Sequence, residues 1–106
     1  MANEINKHPE QPPILQKIIH LLAEKNQLAS INKIYLFGSR ARGDASARSD
    51  IDLAIACPNA NSRTWLDIKE TIEETPTLLK IDILRLEEAT PELRKKIIEE
   101  GKIIYE

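Results

Sequence analysis

The stretch Gly38-Ser39-Arg40-Ala41-Arg42-Gly43, followed by Asp50-Ile51-Asp52, combines a turn that can cradle phosphate with two carboxylates spaced for one strand face. Gly38 lets a backbone approach a phosphate closely, and Ser39 with the next amides can open a short helix whose N-terminus favours anions. Asp50 and Asp52 supply the hard oxygen ligands that Mg²⁺ takes alongside substrate phosphates. Side chains two apart on a strand share a face, with Cα atoms about 6.5 to 7 Å apart. Two-metal phosphoryl chemistry sets its ions about 3.5 to 4 Å apart, so one carboxylate can bridge them while a third completes the site. Asp82, the acidic residue within an otherwise apolar run, is the expected third. If its strand neighbours that of Asp50, all three carboxylates converge, and their like charges repel unless cations lie among them. These residues read as a nucleoside triphosphate site for metal-assisted chemistry.

The elements that must position them are legible from periodicity. Ile14, Leu15, Ile18, Ile19, Leu21 and Leu22 recur at helical spacing after Pro12-Pro13, predicting an amphipathic helix with proline in its first turn. Ile34-Tyr35-Leu36-Phe37 is a short apolar run ending at Gly38, as expected of a central strand buried on both faces. Gly43 to Ser49 reads as a loop. From Asp50 to Ala56, Ile51, Leu53 and Ile55 lie on one side of a strand, and both aspartates share the other with Ala54 and Ala56. Asn61-Ser62 caps a helix with a Trp65, Ile68 and Ile72 stripe, stopped by Thr75-Pro76. Leu79 to Leu86 is the next strand, with Ile81 and Ile83 facing one way and Asp82 and Leu84 the other. Thr90-Pro91 opens a helix whose buried stripe is Leu93, Ile97 and Ile98, and Gly101 ends it before a short strand at Ile103-Ile104-Tyr105.

Composition narrows the classes. A chain of 106 residues has room for one core, so residues 12–106 are expected to form a single domain behind a polar leader at 1–11. A net charge of −2 gives no broad basic field, which argues against direct nucleic-acid binding, with its many phosphate contacts. Cys57 is the only cysteine, so no internal disulfide can form; it reads as a small buried hydrophobe. No apolar run is long enough for a membrane span, and the expected location is the cytoplasm. His8 and His20 have no metal-like partners in sequence, and Trp65 reads as core. Tyr105 reads as either a sheet residue or a partner contact.

Gly38-Ser39, ten intervening residues, Asp50-Ile51-Asp52 and Asp82 on a later strand together resemble the signature of the polymerase-beta-like nucleotidyltransferase superfamily. The short chain narrows the resemblance to the minimal nucleotidyltransferase (MNT) antitoxins, which are paired with a HEPN-domain toxin. It runs from Ile14 to Tyr105, including Lys80-Ile81-Asp82-Ile83-Leu84 and the ending Glu100-Gly101-Lys102-Ile103-Ile104-Tyr105. The resemblance implies an α/β fold with a mixed β-sheet flanked by helices. It also implies ATP as substrate, two Mg²⁺ ions, and transfer of AMP to a tyrosine of a cognate HEPN-domain RNase toxin held in a hetero-oligomer.

On that resemblance Gly38 and Ser39 would hold the β- and γ-phosphates, and Arg42 would neutralise the leaving pyrophosphate, with Arg40 the weaker candidate. Asp50 and Asp52 would bind both ions and Asp82 the ion that activates the acceptor tyrosine, whose free pKa is about 10. Ser49 is either a further phosphate donor or an ordinary loop serine, and Arg48 reads as a solvated loop charge. The competing reading is a non-catalytic antitoxin that binds and masks the toxin. Transfer to a small molecule or an RNA end is disfavoured by the lack of an acceptor-binding domain and of a basic surface.

Overall fold

A computed structural model describes residues 13–43 and 50–106, without the Arg42 side chain. The expected leader, the loop that carries Arg48 and Ser49, and His8 lie outside the described residues. The chain runs α1 (Pro13–Glu24), β1 (Lys33–Phe37), α2 (Ser39–Arg42), β2 (Ile51–Ala56), α3 (Ser62–Glu73), β3 (Ile81–Arg85), α4 (Pro91–Glu100) and β4 (Lys102–Tyr105). Short 3₁₀ turns at Leu28–Ser30 and Leu86–Glu88 complete it. The strands form one mixed sheet in the order β3-β2-β1-β4, with β1 antiparallel to β2 and β4, and β2 parallel to β3. The expected mixed sheet flanked by helices is the observed one.

Strand alternation divides the core between two sheet faces. On the first, Leu15, Ile18, Ile19 and Leu22 of α1 and Ile68 and Ile72 of α3 pack over Ile34 and Leu36 of β1 and Ile51, Leu53 and Ile55 of β2. Trp65 packs against the same cluster, as expected of a core residue. The second face holds a smaller cluster of Tyr35, Ala54, Ala56, Leu86 and Ile97, with Phe37, Leu84 and Ile103 beside it. Ala54 and Ala56 are small, which lets Leu86 and α4 lie close on this face. Strand β1 is buried on both sides, because it lies between β2 and β4.

The helix ends follow the capping chemistry in the sequence. The Asn61 side chain accepts from the Thr64 amide at 2.8 Å, and the Thr90 hydroxyl accepts from the Leu93 amide at 3.2 Å, just ahead of Pro91 at the first helical position. Gly101 ends α4, and a Cβ there would press on the Ile97 and Leu36 carbonyl oxygens, so glycine lets the helix end lie against β1. Two expectations need correction. The strand expected over Leu79 to Leu86 is confined to Ile81–Arg85, since Leu86 turns into a 3₁₀ segment to reach the second face. In α4, Ile97 is 1% exposed but Leu93 is 36% and Ile98 51% exposed. Ile98 is one residue past Ile97, about 100° around the helix, and so leaves the buried stripe.

Arg85 ties the ends of the two parallel strands together. Its side chain is only 12% exposed, and Nη2 donates to the carbonyls of Cys57 at 2.8 Å and Ala60 at 2.6 Å, both just past β2. Glu87 Oε1 lies 3.5 Å from Arg85 Nε and accepts from the Cys57 amide at 3.1 Å, closing the network. Burial pushes the Cys57 thiol up from its usual range, partly opposed by the nearby Arg85 charge, consistent with an inert packing residue. Arg85→Met would strand two carbonyls and Glu87, so we expect about 2–3 kcal/mol of lost stability in urea unfolding. Loss below about 0.5 kcal/mol would show that the network is not holding the β2–β3 register.

Candidate functional site

The site is built where β1 ends and β2 begins, on the second face of the sheet. Gly38 adopts φ 78° and ψ −153°, a backbone region essentially reserved for glycine, and caps α2. Its missing side chain has a neighbour: a Cβ at Gly38 would overlap Asp52 Oδ2 and stand 3.3 Å from Asp52 Cγ. The turn at the end of β1 therefore lies directly against the first carboxylate. Asp52 also pairs across the ladder with Phe37, the residue before that turn.

On its other side, Asp52 pairs with Asp82 of β3 in the parallel ladder. Neighbouring strands lie about 4.8 Å apart, so alternation and register together set the two carboxylates side by side on the same face. The expected neighbouring of the Asp82 strand with that of the aspartate pair is what the sheet order shows. Asp50 lies just before β2 and is exposed, and the Ile51 amide next to it donates to the Lys80 carbonyl at 2.9 Å.

Because β3 is an edge strand, Asp82 is not enclosed in the apolar setting that its sequence neighbours imply. Its side chain is 48% exposed, and its Oδ1 lies 3.7 Å from Lys80 Nζ. Lys80 lies just before β3, two residues from Asp82, a spacing already visible in the sequence. Among the described residues, no three His, Cys, Asp or Glu side chains stand close enough together to hold a metal ion. The donor set nevertheless suits Mg²⁺: it consists of carboxylate oxygens, and Gly38 keeps free of carbon the space that a Cβ would take at Asp52 Oδ2.

Ser39 and Arg40 open α2 and are half-buried, and the Ala41 amide donates to the Gly38 carbonyl at 3.1 Å. The Arg42 side chain and Ser49 lie outside the described residues. His20 is exposed and 3.2 Å from Glu24 one turn on, in keeping with a surface role.

Residues 16–106 match the family described as polymerase beta, nucleotidyltransferase. The chain belongs to that family. A nucleotidyltransferase relative in Methanocaldococcus jannaschii, MJ1379, provisionally named a protein adenylyltransferase, is 34% identical over 92 residues, covering 85% of this chain and 89% of its own. Among solved structures, a toxin–antitoxin complex with AMP-PNP superposes with a TM-score of 0.64 at 26% identity, covering 84% of this chain and 70% of that one. The MNT antitoxin complex with tri-AMPylated Shewanella oneidensis HEPN toxin gives a TM-score of 0.58 at 23% identity, covering 84% and 66%, a likeness of fold. The resemblance to the polymerase-beta-like nucleotidyltransferases therefore holds for this chain.

Gly38→Ala tests the contact between turn and carboxylate. The strained backbone alone costs about 1–3 kcal/mol, and the displaced Asp52 side chain adds a loss of activity. We expect chemical denaturation to show that destabilisation and nucleotide binding to weaken in the same protein. A variant with wild-type stability and wild-type binding would contradict the geometry.

Proposed function

We propose that this chain is an antitoxin that transfers AMP from ATP to a tyrosine of its cognate HEPN-domain RNase toxin and thereby silences it. The observation that carries the reading is the register of β2 and β3, which sets Asp52 beside Asp82 with the Gly38 turn against Asp52. Family membership and the provisional name of the M. jannaschii relative support the same chemistry. The toxin–antitoxin complex with AMP-PNP supports ATP as donor and a toxin as partner. Residues 12–106 would form the single catalytic domain. Among the described residues no helix is long and apolar enough to cross a membrane, and the ATP requirement fits a cytoplasmic reaction.

In this mechanism Asp50, Asp52 and Asp82 would hold two Mg²⁺ ions, with Asp50 joining the pair already in register. Bound Mg²⁺ would supply Lewis-acid charge to the reacting phosphoryl group and lower the cost of deprotonating the acceptor. Gly38 and Ser39 would orient the β- and γ-phosphates through backbone amide and hydroxyl, and Arg42, with Ser49 as a further donor, would balance charge on the departing pyrophosphate. Asp82, on the edge strand, faces the side from which an acceptor can approach. The tyrosine oxygen attacks the α-phosphorus, its proton is lost, and the bond to pyrophosphate breaks. The partner supplies that tyrosine, so a hetero-oligomer with the toxin is part of the reading.

Co-expression tests it. The wild-type chain should restore growth to cells making the partner toxin, and Asp50→Ala with Asp52→Ala should not. Full rescue by that double variant would favour masking of the toxin over its modification.

A further inference from the structure

Strand β3 closes one side of the sheet, and its outer edge borders a groove apart from the Gly38 turn. The groove has a volume of about 430 Å³. Its lining includes Trp65 and Lys69 of α3, Ile83 and Leu84 of β3, Ala89 just before α4 and Leu93 within it. Arg94 donates from Nη2 to the Glu87 and Ala89 carbonyls, both at 3.1 Å, so the wall at α4 has a fixed position.

The backbone of β3 is open on the groove side. The Ile51 amide donates to the Lys80 carbonyl at 2.9 Å, and Ile51 stands level with Ile81 in the parallel ladder. That pattern turns the amides and carbonyls of Asp82 and Leu84 toward β2, and those of Ile81 and Ile83 outward. Among the described residues no strand pairs with the outward groups. A row of open amides and carbonyls is a template for one more strand.

We infer that the groove and the open β3 edge dock the acceptor segment of the partner protein, bound in extended form as an added strand. The inference rests on the proposed AMP transfer to a tyrosine, and it adds where and in what form the polypeptide around that tyrosine binds. Strand alternation sets the chemistry of the segment. Side chains of an added strand share a face with the β3 side chains they stand level with. A tyrosine level with Asp82 therefore lies on the carboxylate face, where the acceptor is activated. The residue two positions along stands level with Leu84, against Ala89 and Leu93, and an apolar side chain gains cover there. The residue between them lies on the opposite face, beside Ile83 and Trp65, and is again apolar. Main-chain hydrogen bonds to Ile81 and Ile83 hold the segment in register.

A second copy of this chain is the other candidate strand, and charge opposes it. Antiparallel pairing of two β3 strands about Ile83 would set the two Asp82 carboxylates diagonally across one face, about 7–8 Å apart. Like charges at that spacing repel, and the pairing would also close both sites to an acceptor.

Amide hydrogen exchange by NMR, on the intact chain alone and in complex with the partner toxin, tests the assignment without any substitution. The Ile81 and Ile83 amides should exchange freely in the chain alone and at least about tenfold more slowly in the complex. A second arm fills the groove: Ala89→Arg should raise KM for the toxin about tenfold in AMP transfer, with kcat and the KM for ATP within twofold of wild type. Unchanged exchange at both amides, in a complex whose toxin is still labelled from ATP, overturns the docking edge and leaves the transfer reading standing. Protection that grows with the concentration of the chain alone overturns it in favour of a second copy. A toxin that neither binds nor takes label overturns the transfer reading and the docking edge with it.

Discussion

Asp52→Asn is expected to lower kcat/KM for AMP transfer by about a thousandfold, the equivalent of about 4 kcal/mol of transition-state stabilisation. Asn has nearly the same shape, so the packing against Gly38 and the pairing with Phe37 and Asp82 survive. On the proposed roles, what is removed is the charge that a metal would require, at a carboxylate flanked by both the Gly38 turn and Asp82. Thermal unfolding should stay close to wild type, which separates a chemical defect from a folding defect. Residual activity within tenfold of wild type would mean that Asp52 is not a metal ligand.

Asp82→Asn should behave differently. Asp82 stands on the edge strand, beside Lys80 and on the far side of Asp52 from the Gly38 turn. On the proposed roles its loss would remove activation of the acceptor but leave the triphosphate clamp, so kcat should fall about a hundredfold while ATP affinity changes by less than about threefold. Equal losses in ATP binding and in rate would contradict the division of roles between the two strands. The pair of variants thus measures whether the site has an ATP side and an acceptor side.

Much of this arrangement was readable from residue order, because local signals and global packing agree. Asn61, Thr90 and Gly101 mark helix ends by their own hydrogen-bonding and steric properties, and each does so in the structure. The alternation through Asp50 to Ala56 placed Ile51, Leu53 and Ile55 in the core and Asp52 on the opposite face. The apolar run at Ile34 to Phe37 marked the central strand.

Other features depend on which strands become neighbours, which a single sequence does not state. Asp82 lies among Ile81, Ile83 and Leu84, yet it is half-exposed, because β3 has a partner on only one side. The Arg85 network joins residues nearly thirty positions apart and follows from the parallel pairing. Helix α4 departs at Leu93 and Ile98 from the buried stripe its spacing suggests, since both are exposed while Ile97 is buried. The candidate carboxylates were thus easier to read from residue order than the exposed part of α4.

The most direct test is incubation of the purified chain with ATP labelled at the α-phosphate, Mg²⁺ and the partner toxin, followed by mapping of the label. The account predicts label on a toxin tyrosine, dependent on Mg²⁺ and lost when Asp50→Ala and Asp52→Ala are combined. An unlabelled toxin that is nonetheless neutralised by the double variant would contradict it.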